Sequence, residues 1–318
     1  MATVTYDTLN HLVMFNDKNI EQLGVTNLLD SAPLLQVLSA KEASQKTVHK
    51  FSLQTRKAEA KFRAMNAGVQ NDKSQDTDTS VDLKIIDGSF DVDVAYANQF
   101  PGGTEAALRL EFARAAREMF FMAEKQVFYG TTTQGGGDAA GFAGLASNAR
   151  LNALSDEMVV AAGTAGSSTN EQTSVWLLRH DPDNVCFLLG DGARFIYDED
   201  PAIGWIYNTD AANSTRYPGY IVPVTGWAGL QIGSNYSAAR VCNIETKLDD
   251  DDIYNAISLF PADRQPNVIC MNRKSMKLLR ESRTAVNPSG APANRPIEVD
   301  GIPIIVTDAI SSAEAVIA

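Results

Sequence analysis

Thr104-Glu-Ala-Ala-Leu-Arg-Leu-Glu-Phe-Ala-Arg-Ala-Ala-Arg-Glu-Met-Phe-Phe-Met-Ala-Glu-Lys-Gln-Val-Phe-Tyr129 is the stretch on which the rest of the chain is read. Leu108, Phe112, Ala115, Met119, Met122 and Phe128 recur at spacings that share one helical face. The many alanines raise helix propensity and allow close approach of a neighbour. Pro101-Gly102-Gly103 precedes it, which makes Thr104 the expected N-cap, with Glu105 placed where the helix dipole favours an anion. Glu105–Arg109 and Arg114–Glu118 are spaced as i,i+4 ion pairs. At about 1.5 Å per residue such a helix is a strut about 40 Å long. Leu108, Phe112 and Met119 are its expected packing positions.

Upstream, the period changes from helical to alternating. Phe51, Leu53 and Thr55 alternate with polar residues, as do Val81, Leu83 and Ile85, and again Phe90, Val92, Val94 and Tyr96. Between the first two runs Asn66 to Ser80 is polar and carries turn formers. A long β-hairpin is expected, with a further strand entered through Asp87-Gly88.

Charge is segregated between its arms. Lys41 to Arg63 holds seven bases and two acids; Asn71 to Asp93 holds seven acids and two bases. Lys46, Lys50, Arg56, Lys57, Lys61 and Arg63 on one side, with Asp76, Asp78 and Asp82 on the other, are therefore the candidate contact residues. They suit pairing across the hairpin. They equally suit a basic edge meeting an acidic surface on another copy, and the two are compatible.

Residues 1–46 read as short helical pieces, Asp7 to Phe15, Ile20 to Asp30 and, after Pro33, Leu34 to Leu38, with too few apolar residues per turn to build a core. Downstream of Tyr129 comes a glycine-rich stretch, Gly130 to Asp138, then Gly141-Phe-Ala-Gly-Leu145. Residues 173–246 are strand-rich. Helices are expected at Asp250 to Phe260 and, capped by Asn272, at Arg273 to Glu281. Strands are expected at Val268 to Met271, Ile297 to Val299 and Ile302 to Val306, the last two joined by Asp300-Gly301. The fold class is α+β.

Composition narrows the function. The 318 residues are 44% hydrophobic and carry a formal charge of −12, with 27 Lys and Arg against 39 Asp and Glu. That balance argues against broad electrostatic binding of nucleic acid, which requires cations to displace counterions from phosphates. It suits a container wall that holds a polyanion without sticking to it, and equally the ordinary solubility of an acidic bacterial protein. Cys186, Cys242 and Cys270 are far apart and expected to be buried thiols. Met1 to Asp17 has no basic segment followed by an apolar core, so no secretory leader is expected there. No apolar run approaches the roughly 18 residues of a membrane span.

No motif for chemistry emerges. Gly135-Gly-Gly137 lacks the Lys-Ser/Thr of a phosphate loop, and Gly190-Asp-Gly192 lacks the third glycine of a dinucleotide fingerprint. His180-Asp-Pro-Asp183 lies near Cys186, but that thiol sits in an apolar strand. The acidic runs Asp198 to Asp200 and Asp249 to Asp252 lack the spacing of a calcium loop, and the second reads as helix N-terminal charge. No catalytic residue, cofactor or metal ligand is expected.

The order of elements resembles the Hong Kong 97-type fold of tailed-phage major capsid proteins. Tyr129-Gly130 through Gly141-Phe-Ala-Gly-Leu145 is similar to the passage after the long helix in that family. Val268-Ile-Cys-Met-Asn-Arg273 and Asp300-Gly-Ile-Pro-Ile-Ile-Val-Thr-Asp308 look like two of its later strands. Val81-Asp-Leu-Lys-Ile-Ile-Asp-Gly-Ser89, Trp176 and Arg240-Val-Cys-Asn-Ile244 resemble a compact subfamily.

The resemblance implies an N-terminal arm (1–46), an extended loop (47–99), a peripheral domain with the spine helix (100–246) and an axial domain (247–318). It implies a non-enzymatic subunit that self-assembles as pentamers and hexamers into an icosahedral head around double-stranded DNA. It also implies a separate scaffolding protein, a portal and a possible decoration protein, with assembly in the host bacterial cytoplasm, localisation in the virion and no membrane. Two rivals stand beside it: an encapsulin-like nanocompartment of the same fold, and a cytosolic α+β enzyme using the glycine-rich loops.

Overall fold

The computed structural model describes residues 31–69, 72–132, 134–162, 171–190, 196–197, 202–207, 215–287 and 291–317. The helical pieces expected before Asp30, the acidic run Asp198 to Asp200 and the Asp191-Gly192 turn lie outside the described residues.

In chain order the strands are β1 (Ala40–Glu42), β2 (Val48–Arg56), β3 (Gln75–Asp82), β4 (Lys84–Asp87), β5 (Phe90–Asp93), β6 (Val159–Ala161), β7 (Thr173–Leu178) and β8 (Val185–Leu189). They continue as β9 (Ile196–Tyr197), β10 (Ala202–Tyr207), β11 (Arg216–Val222), β12 (Val224–Ile232), β13 (Ala238–Ile244), β14 (Val268–Met271), β15 (Glu298–Val299) and β16 (Ile302–Val306). The helices are α1 (Val94–Gln99), α2 (Gly103–Tyr129), α3 (Asp250–Ser258) and α4 (Arg273–Ala285). Short 3-10 turns at 134–136, 145–147 and 149–152 come after α2. Among the described residues no helix is long and apolar enough to cross a membrane.

The chain divides into two compact units. One comprises the described residues of 85–124 and 195–226. In it β11 lies between β10 and β5, antiparallel to both. Leu108 and Phe112 of α2 pack with Ile86 and Phe90 around buried Met119, Val222 and Val224. A second cluster joins Val92, Ala97, Phe100 and Ala107. Each fully buried large side chain stabilises by about 1.5–3 kcal/mol.

The other unit holds residues 33–84, 125–194 and 227–318. Its centre is a six-stranded sheet ordered β15-β16-β14-β7-β13-β6. Strands β7, β13 and β14 are buried at every residue, which explains the apolar runs Val175 to Leu178 and Val268 to Met271, while the polar Ser174 and Arg240 are buried with hydrogen-bond partners. Helix α3 lies against β13 and β6, and α4 against β7. The β15–β16 turn uses Asp300 (φ 51°) and Gly301 (φ 75°), the positive-φ pair that an Asp-Gly hairpin requires.

Four local expectations need correction. Thr104 is not a cap: Gly102 (φ 96°) and Gly103 (φ 82°) swing the chain into the helix, and the Thr104 hydroxyl donates to Asn98 Oδ1 at 3.1 Å. Arg114 turns back to Glu111 at 2.6 Å instead of forward to Glu118, whereas Glu105–Arg109 forms at 2.7 Å. Val94 and Tyr96 are helical, because Asp93 accepts from the Ala95 amide at 2.6 Å and starts α1 where alternation predicted strand. Leu34 to Leu38 makes a single turn closed by Leu38 N to Leu34 O at 2.8 Å.

Candidate assembly surfaces

The antiparallel β2–β3 hairpin is built on side-chain alternation from Val48 to Gln54, with a register shift before Arg56. Its register places Val48, Lys50, Ser52 and Gln54 opposite Asp82, Ser80, Asp78 and Asp76 on one face, and His49, Phe51 and Leu53 opposite Val81, Thr79 and Thr77 on the other. One face is polar; the other is apolar toward the base. All nine candidate charged residues are exposed. The ladder does not set them directly opposite one another: Asp76, Asp78 and Asp82 face Gln54, Ser52 and Val48. Lys50, across from Ser80, has Asp78 and Asp82 as diagonal neighbours. Arg56 does cross to the other arm, reaching Asp72 at 3.0 Å, and Lys61 pairs within its own arm with Glu59 at 2.8 Å. Exposed pairs of this kind contribute about 0.2–1 kcal/mol.

The tip carries two residues that sequence reasoning missed. Phe62 and Met65 have relative accessibilities of 108% and 91%, so neither covers any of its own fold. They stand among Lys57, Lys61 and Arg63, and their neighbours in sequence are too charged for any apolar period to flag them. The loop is also shorter than the polar stretch suggested. Gln75-Asp-Thr-Asp-Thr-Ser80 forms strand without a large apolar residue, because it pairs with β2 along its length.

The base is fixed. The Leu83 amide donates to Thr47 O at 2.9 Å, and Leu83 is buried. Buried His49 stacks on Phe51 with centroids 6.0 Å apart, and its Nδ1 accepts from the Ser44 amide at 3.0 Å. That bond puts the proton of the neutral ring on Nε2. Burial, then the Lys41 charge, holds the imidazole below its ordinary pKa. Strand β1, just before this base, pairs in parallel with β8, and Lys41 Nζ donates to Pro182 O at 2.6 Å. The hairpin therefore springs from a firm sheet and ends in an uncovered apolar tip.

A second uncovered surface lies on the first unit. Ile203, Trp205 and Tyr207 alternate along edge strand β10, each more than half exposed, and the Arg216 guanidinium sits 4.7 Å over the Trp205 ring.

Within the hairpin's own unit is a buried ionic network. Arg240 and Glu314 are each 2% exposed and bond at 2.8 Å. Arg240 Nε donates to Ser174 Oγ at 2.9 Å, and its Nη1 donates to Leu151 O and Asn152 Oδ1 at 3.2 and 3.0 Å. Its guanidinium lies 4.6 Å over Trp176, the residue directly across the ladder. Glu314 also accepts from Tyr129 Oη at 2.6 Å and Ser174 Oγ at 2.5 Å, while the Ser311 amide donates to Tyr129 Oη at 2.7 Å. Burial, reinforced by Glu314, drives the Tyr129 hydroxyl well above its usual pKa. The end of α2, two central strands and the C-terminal segment are thus tied at one point.

The glycine-rich stretch is a packing device. Gln126 Nε2 donates to Asp138 O and Phe142 O at 3.0 and 2.7 Å, and the Asp138 amide donates to Gln126 Oε1 at 2.9 Å. A Cβ at Gly144 would stand 2.1 Å from Gln126 O, so only glycine lets this loop lie against the helix end.

The residues weighed for chemistry do not converge. Cys186 is buried in β8 and burial raises its thiol pKa; Cys242 is pushed up to about 11 by the same cause. His180 shares a 3.3 Å hydrogen bond with Ser39 Oγ through Nδ1, and its backbone amide is held by Asn267. In the run Asp249 to Asp252 the Asp249 amide donates to Asp252 Oδ2 at 3.1 Å, a helix-start contact. Among the described residues no group of three or more His, Cys, Asp or Glu is placed to hold a metal.

A β-hairpin, a long helix and mixed α+β packing are the elements of the Hong Kong 97-type fold. Two solved structures share the fold. Bacteriophage epsilon15 aligns over 100% of both chains with 19% identity and a TM-score of 0.64. The bacteriophage JBD30 capsid aligns over 91% of this chain and 97% of its own, with 11% identity and a TM-score of 0.52. At these identities the likeness speaks for the fold. An encapsulin from Synechococcus elongatus scores 0.45 at 9% identity, too distant to bear on function. No curated protein matches in sequence. The profile of the family described as major capsid protein GP7 matches residues 17–318, and the chain belongs to that family. It is a structural component of a phage virion, from a family of capsid proteins and not of enzymes.

Proposed function

We propose that each copy fastens to the next through its hairpin, building an icosahedral head shell of pentamers and hexamers around double-stranded DNA. The single observation that carries this is the exposure of Phe62 and Met65 at the end of an ordered hairpin. A subunit that worked alone would leave both in water, whereas burial on a neighbour recovers about 1.5–3 kcal/mol for each. The energy per copy is small, but in a closed shell many such contacts act together. The surrounding cations direct the tip toward an acidic surface, and a chain of −12 net charge offers many.

In this reading residues 1–46 are the arm, 47–99 the extended loop, 100–246 the peripheral domain and 247–318 the axial domain. Assembly takes place in the host bacterial cytoplasm with a separate scaffolding protein, a portal and possibly a decoration protein. The acidic wall retains DNA without sequence-specific binding.

The test is Phe62→Ser with Met65→Ser in the full chain. The subunit should fold as before, since neither side chain touches its own core, yet fail to form particles by sedimentation and electron microscopy. Normal particles from this variant would remove the hairpin from the mechanism. Arg56→Glu with Lys57→Glu tests the charge half of the idea in the same assay, with loss of assembly expected.

A further inference from the structure

Helix α4 rests on its unit through Ser275, Met276 and Leu279, with a flank to either side of that buried stripe. Along one runs the segment before β15: Arg280 Nε donates to Ala293 O at 2.8 Å, the Ala293 amide donates to Thr284 Oγ1 at 3.0 Å, and Arg283 Nη2 donates to Glu298 O at 3.1 Å. The segment presents Arg295 and Ile297, the latter 76% exposed, on either side of buried Pro296, and neither Arg280 nor Arg295 has an ion pair among the described residues.

On the other flank, between α4 and the start of α3, is a hollow of about 520 Å³. Its lining contains four carboxylates (Asp249, Asp250, Asp251 and Glu281) against two cations, Lys247 and Arg283. Arg283 is committed to Asp250 at 2.7 Å, Lys247 to Asp249, and the exposed Lys277 reaches Glu281 at 3.5 Å, so the four carboxylates of the lining outnumber its two cations and Asp251 has no ion pair among the described residues. Leu248 and Leu278 contribute apolar wall, and Val286, 77% exposed, forms part of the rim.

We propose that the Arg295-Pro-Ile297 strip of one copy docks into this hollow on the next copy around a ring. The inference rests on the shell reading above and adds a contact distinct from the hairpin. A cationic, apolar strip meets an acidic, apolar hollow, so charge and surface type are complementary. The two patches differ in charge and meet only at Arg283, which pairs with Asp250 in the hollow and donates to Glu298 O beside the strip, so a contact between copies joins unlike surfaces. A contact between unlike patches is head-to-tail, and it closes a ring when the rotation between neighbours is a whole fraction of a turn. The occupant is therefore a second copy of this chain.

The experiment compares the full-length chain with Arg280→Glu plus Arg295→Glu, and with the same pair combined with Asp251→Lys and Glu281→Lys. Rings and shells are quantified by sedimentation and electron microscopy. The first variant should lose at least about tenfold of its assembled fraction, as expected when like charges are brought into contact. The charge-swapped variant should regain assembly. Ile297→Ser, a change at an exposed position, should weaken assembly without altering the circular dichroism of the free subunit, which guards against a misfolded charge variant. Wild-type assembly by the first variant, or no recovery on swapping, overturns the inference and leaves the shell reading standing. If the unaltered chain itself forms neither ring nor shell, it is the shell reading that fails.

Discussion

Replacing Arg240 by Met should destabilise the sheet-centred unit more than any surface change. The side chain is 2% exposed, donates to Ser174, Leu151, Asn152 and Glu314, and covers Trp176. Removing it strands the Glu314 carboxylate, itself 2% exposed, with only hydroxyl donors. Breaking a buried pair from one side costs about 3–5 kcal/mol, because an uncompensated charge is left in a medium of low polarity. Replacing both partners, Arg240→Met with Glu314→Gln, removes both charges while keeping an acceptor for Tyr129, and should cost less than the single change, about 1–3 kcal/mol. The assay is guanidinium unfolding of the unassembled subunit, read by Trp176 fluorescence in a Trp205→Phe, Trp227→Phe background. With a slope of about 4–6 kcal/mol/M the single variant's midpoint falls by about 0.5–1.2 M. A loss below about 1 kcal/mol for Arg240→Met, or a double variant as damaged as the sum of two singles, refutes the reasoning.

Three further outcomes are expected on the same physical grounds. Gly130→Ala should destabilise strongly, by about 2–3 kcal/mol, since φ is +57° and a Cβ would lie 2.1 Å from Gly144 N; thermal unfolding checks it. His49 is held below its free value of 6.5, so the folded state resists its protonation. The stability it confers is complete above about pH 6.5 and is lost as pH falls through the depressed folded value; His49→Gln should flatten that part of the midpoint-against-pH curve. The three thiols should resist a thiol reagent at pH 8 in the folded subunit and all react after denaturation; fast labelling of native Cys242 contradicts its burial.

The long helix and the hairpin were legible because each has a period that matches its geometry: Leu108, Phe112 and Met119 share a helical face, and Phe51 and Leu53 share a strand face. Strand β3 was misread at its start because pairing, not apolar content, makes Gln75 to Ser80 a strand. The α1 turn was hidden by an apolar alternation that one Asp93 hydrogen bond overrides. Arg240 and Glu314 lie 74 positions apart, and nothing local to either announces the other. Phe62 and Met65 were invisible for the opposite reason: their meaning lies in their exposure, 108% and 91%, among the described residues, which only a structure displays.

A cryo-electron microscopy reconstruction of assembled particles, with residues 57–74 traced, bears most directly on the central claim. Phe62 and Met65 should be buried against a different copy from the one that carries them. If the particle has both in solvent, or packed on their own subunit, the hairpin is not the fastener.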